Sequence, residues 1–197
     1  MNTQMGWPDL ALMFGMIFHL DANRVNARGS LPNICELEKW HHRGVIALEW
    51  SAPVYDELAH DAPDGRHWNK ISGSLVANSA ITTPSEQCQL DEIEGIVFPG
   101  GTRDNTERND ALALFTAKKY FAIFVTNDGG GGKPRGILTH KESLASIGVR
   151  VVSDEEAVTM VRARLNECAR TERQLAEVSG ESEPPWISTW ESSNKAV

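Results

Sequence analysis

The sequence predicts an α/β fold, a mainly parallel sheet with helices packed on it. Three observations predict it. Apolar runs such as "MFGMIFHLD" (Met13–Asp21) and "FAIFVT" (Phe121–Thr126) do not alternate, as expected of strands covered on both faces. Segments of helical period separate such runs. The resulting order, strand then helix then strand, favours right-handed crossovers between parallel neighbours.

The bulk numbers bound the rest. At 197 residues and 41% hydrophobic composition, the chain can build one ordinary core, over residues 1–178, followed by a polar tail at 179–197. A formal net charge of -8 argues against a broad basic surface for nucleic acid. It leaves room for an enzyme that meets nucleic acid at one acidic cleft. Cys35, Cys88 and Cys168 are odd in number and far apart, without CxxC or Cys/His metal spacing. That pattern fits a reducing cytoplasm. Leu10–Leu20 is too short to span a bilayer and reads as a buried strand, so no membrane association is expected.

The elements follow in order. After the first strand, Ile34, Leu37 and Trp40 recur every three residues, which predicts a helix over 31–42. Ser30 is its expected cap, Pro32 suits its first turn and Gly44 its stop. "VIALEW" (Val45–Trp50) predicts a second strand, and Ser51 and Pro53 reopen a helix carrying "VYDELA". From about 61 to 102, turn signals at Pro63, Gly65, Gly73, Pro84 and Pro99-Gly100-Gly101 predict a loop-rich insertion, with a hairpin or short helix at most. Asp104 or Thr106 then caps a helix whose Leu112, Phe115 and Ala117 to Tyr120 face the core, leading into the strand Phe121–Thr126. "THKESLASIG" predicts a short helix with a Thr139/Glu142 capping box and Gly148 as stop. "VRVV" is a further strand, and Ser153 caps a last helix, Asp154 to about Glu177. Trp186 and Trp190 are unusual in a tail and suggest that part of it docks.

The chemistry lies in acids at one edge. Ligands of an open parallel sheet gather beyond the carboxyl ends of its strands. "MIFHLD" ends there in Asp21 and "AIFVTND" in Asp128. Glu57, on the helix after strand two, and Asp110, in the first turns of the helix leading to Asp128, are placed to join them. Asp56 competes with Glu57 on spacing alone. Converging carboxylates repel unless a cation sits among them, and hard oxygen donors suit Mg²⁺ or Mn²⁺. Such ions activate water and stabilise in-line phosphodiester displacement.

These residues resemble the PIN domain, a family of metal-dependent nucleases that includes many bacterial toxins of toxin–antitoxin pairs. The resemblance covers about Phe14 to Val161. "IFHLDAN" matches the family's "hhhDxN" with Asp21 and Asn23, and "VYDELA" matches "xxEL" with Glu57. "NDALALFTA" matches "DAlxxxxA" with Asp110, and "IFVTND" matches "hhVTxD" with Asp128. "LASIGVRVVSDEEAV" resembles the family's closing strand and helix. The resemblance implies a three-layer α/β/α sandwich and an acidic Mg²⁺ or Mn²⁺ pocket of Asp21, Glu57, Asp110 and Asp128. It also implies endonucleolytic cleavage of RNA by a metal-activated water, with Asn23 in support and Thr126 orienting a carboxylate or that water. A homodimer and an antitoxin-type protein partner are further implications.

Two alternatives stay open. One is a haloacid-dehalogenase-type phosphotransferase, which needs a second Asp where this chain has Asn23. The other is a PIN-like interaction or RNA-binding module without catalysis. A phosphate loop fails on spacing, because "GGGGKP" puts Pro134 where Ser or Thr belongs. Lys133 and Arg135 remain candidates for contact with a phosphate backbone.

Overall fold

The computed structural model describes residues 15–26, 31–60, 75–130 and 136–194. Apolar strand segments pair into one sheet: β1 (Ile17–Leu20), β2 (Ala47–Ser51), β3 (Leu75–Ala77), β4 (Ile123–Val125) and β5 (Arg150–Val152). All pairs are parallel, in the order β3-β2-β1-β4-β5. Phe18 of β1 lies beside Leu48 and Ile123, and His19 beside Glu49 and Phe124. Phe18, Leu20 and Phe124 are fully buried, as a strand with helices on either side requires.

The helices are α1 (Ala22–Asn26), α2 (Pro32–His42), α3 (Ala52–His60), α4 (Pro84–Val97), α5 (Asn105–Lys119), α6 (Lys141–Ser146), α7 (Asp154–Ser179) and α8 (Pro185–Asn194), with a 3-10 turn at Ile137–His140. They cover both faces of the sheet: α2 packs with α7, and α5 packs with α3 and α4. Helix α2 buries Ile34, Leu37 and Trp40, its expected stripe. Burying each such side chain stabilises by about 1.5–3 kcal/mol. The α5 start is capped by Asp104, which accepts from the Glu107 N–H. Ser153 and Glu156 form a capping box at α7, and Gly180 closes it in the left-handed region.

The structure corrects several local expectations. Ser30 lies outside the described residues; the position before α2 is Leu31, which makes no side-chain cap. Thr139 does not cap α6. Its hydroxyl donates to the Gly136 carbonyl, and residues 137–140 already form the 3-10 turn. The strand expected at Phe121–Thr126 is only Ile123–Val125. Phe121 sits at φ 55 and is 91% exposed, because the chain must reverse sharply between α5 and β4. Tyr120 is likewise exposed and does not face the core.

The larger correction concerns residues 61–102. Residues 61–74 lie outside the described set, but 75–102 contain the edge strand β3 and the 14-residue helix α4. Pro84, read as a breaker, is the first residue of α4, where its missing N–H costs nothing. Thr83 and Glu86 form the capping box that the proline-based reading overlooked. Leu90, Ile93 and Val97 bury against the core, so this segment completes the sheet and one helical layer.

The supposed tail is also structured in part. Trp186, Ile187 and Trp190 recur at helical spacing and are buried on α8. The Trp190 indole Nε1 donates to Asn166 Oδ1 at 3.0 Å, and its ring lies 6.2 Å from that of Trp40. Replacing Trp190 by alanine should destabilise the protein by about 3–5 kcal/mol, the range for a buried tryptophan. Urea denaturation checks this; a loss below about 1 kcal/mol would mean that α8 is not part of the folded body.

Candidate functional site

The strand order creates a switch point between β1 and β4. From β1 the chain crosses to β2 on one side, and from β3 it returns to β4 on the other. Loops leave such a point in opposite directions, and a crevice opens between them. Asp21 directly follows β1, and Thr126 directly follows β4. The Asp21 N–H donates to the Val125 carbonyl at 3.0 Å, so the two strand ends are tied together.

Thr126 joins the acids at this crevice. Its buried hydroxyl donates to Asp21 Oδ2 at 2.6 Å and accepts the Asp128 N–H at 3.0 Å. Asn23 Nδ2 donates to the same Asp21 oxygen at 2.6 Å. Asp128 is turned outward and exposed; its Oδ2 accepts the Ile137 N–H at 3.0 Å. Its carbonyl accepts the Leu138 N–H. These bonds hold the neck of the glycine loop, where Gly129 and Gly136 meet backbone to backbone. A Cβ on Gly136 would lie 2.0 Å from the Gly129 nitrogen. Gly129 and Gly136 therefore serve a close chain approach.

Two of the expected acids have raised carboxyls. Burial, then the charges of Asp21, Glu57, Asp128 and Asp104, push the Asp110 carboxyl up to about 8. Burial also raises Asp21, with the Asp128 charge adding to it and the Thr126 hydroxyl opposing. Asp110 lies in α5, and Glu57 is half-buried on α3, which packs against α5. The charges that raise Asp110 thus include those of Asp21, Glu57 and Asp128. Lys133 and Arg135 lie outside the described residues.

Among the described residues no group of three or more His, Cys, Asp and Glu stands close enough to hold a metal ion. Hydrogen bonds explain the side-chain positions: Asp21 Oδ2 is taken by Thr126 and Asn23, and Asp128 Oδ2 by the Ile137 N–H. The chemistry of the donor set nonetheless fits a hard divalent cation. Carboxylates that hold one another's charge in check are what such an ion relieves.

No family model matches the chain, and no curated protein matches it. Among solved structures it is similar to a chain in the crystal structure of VapBC2 from Rickettsia felis bound to a DNA fragment from their promoter. The identity is 15% and the TM-score 0.49, over 70% of this chain and 98% of that one.

One pair near the site was not foreseen. His19 precedes Asp21 by two residues on the same side of β1, is fully buried, and pairs through Nε2 with Glu49 at 3.2 Å. Its Nδ1 is buried without a hydrogen-bond partner. Sequence offered only a histidine in one apolar run and a glutamate in another; the parallel register sets them side by side. Among the described residues no helix is long and apolar enough to cross a membrane.

Proposed function

We propose that the protein is a divalent-metal-dependent endoribonuclease of the PIN type. The observation that supports this most is the Thr126 hydroxyl at the switch point, which donates to Asp21 and accepts the Asp128 N–H; the raised Asp110 carboxyl, with Asp21, Glu57 and Asp128 among its causes, is in keeping with it. Mg²⁺ or Mn²⁺, when bound, supplies the positive charge that offsets these acids, activates water and polarises a phosphoryl group. Asp21, Glu57, Asp110 and Asp128 are the residues that would hold it. Thr126 and Asn23 fix one oxygen of Asp21, and the Ala22 backbone N–H also bonds its carboxyl. Asp110 holds a proton up to about pH 8, so cation uptake displaces it and strengthens as pH rises. An RNA substrate, an antitoxin-type protein partner and a homodimer, from the motif resemblance, and a cytoplasmic location, from the cysteine pattern, complete the proposal.

The decisive experiment incubates the purified chain with a mixed RNA pool, with Mn²⁺ and with EDTA. Metal-dependent internal cuts support the reading. Thr126→Val should lower the cleavage rate about 10–100-fold, as loss of a residue supporting a metal ligand does. A Thr126→Val rate equal to wild type would remove Thr126 from the machinery. A non-catalytic RNA-binding module is the second reading, favoured by the lack of a poised three-ligand group among the described residues. RNA binding with no cleavage and no Mn²⁺ uptake would select it.

A further inference from the structure

A cavity of about 540 Å³ lies between the end of α4, the start of α5 and the 3-10 turn, within the size range of small-ligand sites. Val97, the last residue of α4, and Phe98 and Pro99 after it form an apolar wall; Arg103, Glu107 and His140 supply polar groups. Two links tie it to the acids. Glu107 lies one turn before Asp110 on α5, and the 3-10 turn carrying His140 is anchored to Asp128 through Ile137.

Arg103 is held in a defined pose. Its Nε donates to Glu107 Oε1 at 2.8 Å, its Nη2 donates to the same oxygen, and its backbone N–H donates to Oε2 at 2.7 Å. These bonds occupy the Nε side of the guanidinium. The end face, Nη1 with the outer hydrogen of Nη2, has no partner among the described residues, and the side chain is 80% exposed. Glu107 cancels most of the charge, so the site reads hydrogen-bond geometry more than it attracts anions. A planar pair of donors fits two adjacent acceptors. Guanine carries that pair, O6 and N7, whereas adenine sets a donor beside N7 and cytosine exposes a donor. Phe98 packs partly against the core and lines the cavity with the rest of its surface, a ring on which an unstacked base can stack, the common mode of single-strand RNA recognition.

We infer that this cavity receives a guanine base of single-stranded RNA, read by the Arg103 end face and stacked on Phe98. The placement of that base beside the cleaved bond rests on the nuclease reading; base recognition itself does not. The test titrates the metal-free, full-length protein with guanosine, adenosine, cytidine and uridine, which carry no phosphate for the acids to repel. NMR resonances of His140 and the Val97 methyls report occupancy.

Guanosine should bind at least about 10-fold more tightly than the other three, a discrimination within that of one bidentate arginine contact. Arg103→Lys keeps a cation beside Glu107 but lacks the planar fork, and should erase that preference. Phe98→Leu should weaken all four nucleosides about 10-fold. Equal affinities, shifts away from His140 and Val97, no binding, or a guanosine preference that survives in Arg103→Lys would each overturn the inference. RNA cleavage with Mn²⁺ but without bias at guanine would refute the pocket and leave the nuclease standing. Guanosine binding by a protein that cuts no RNA would do the reverse.

Discussion

Replacing Asp21 or Asp128 by asparagine is expected to lower Mn²⁺-dependent RNA cleavage by at least about 100-fold, beyond the range for a supporting residue. The two positions flank the switch point, and each change removes one negative charge at nearly constant shape. The fold should tolerate it. Asparagine's carbonyl oxygen can still accept from Thr126 and Asn23 at position 21, and from the Ile137 N–H at position 128. Burial raises the Asp21 carboxyl above its ordinary value, so removing its charge relieves a desolvation cost. The melting temperature of Asp21→Asn at pH 7 should therefore equal or exceed that of wild type. Cleavage that persists in both variants would sink the nuclease proposal. Lost cleavage with a lower melting temperature would show damage to the fold instead of removal of a reactive group.

The metal-free protein should also lose stability as pH rises from about 4 to about 8, with Asp110 contributing to it and the raised Asp21 acting in the same direction. Its carboxyl moves from an ordinary 3.8 to about 8 on folding. The folded state thus binds a proton that the unfolded chain releases, and the associated stability is fully present below about 4. It is lost as pH climbs through about 8. At 1.36 kcal/mol per pH unit, the upper bound is on the order of 6 kcal/mol, and side-chain relaxation reduces it. Urea denaturation in EDTA across this range should show a falling curve for wild type and a flatter one for Asp110→Asn. Mn²⁺ at pH 8 should restore stability to wild type, by about 2.7 kcal/mol at one hundred times its dissociation constant. Superimposable wild-type and Asp110→Asn curves would mean that the acids do not converge on Asp110.

Much of the fold was legible because strand and helix patterns are local. The stripe of Ile34, Leu37 and Trp40 and the caps Asp104 and Ser153 depend on neighbours within a turn or two. What was misread had competing local signals. Pro84 marks a loop or a helix start, and only the buried Leu90, Ile93 and Val97 decide between them. Phe121 extends an apolar run in sequence but lies outside the strand, because the turn after α5 imposes a left-handed backbone there. Trp186 and Trp190 sit in polar text, and their burial depends on α2 and α7 lying beneath them.

The glycine loop shows the same division. Sequence alone placed Asp128 at the end of an apolar strand and excluded a phosphate loop by spacing. The tertiary structure decided that Gly129 and Gly136 touch, that Thr126 bridges Asp21 and Asp128, and that Arg103 is posed by Glu107. It also decided that Asp110 feels charges from Asp21 and Glu57. The reason is distance: patterning reports which face of an element is apolar, whereas repulsion and hydrogen bonding depend on separations that only the packed sheet sets.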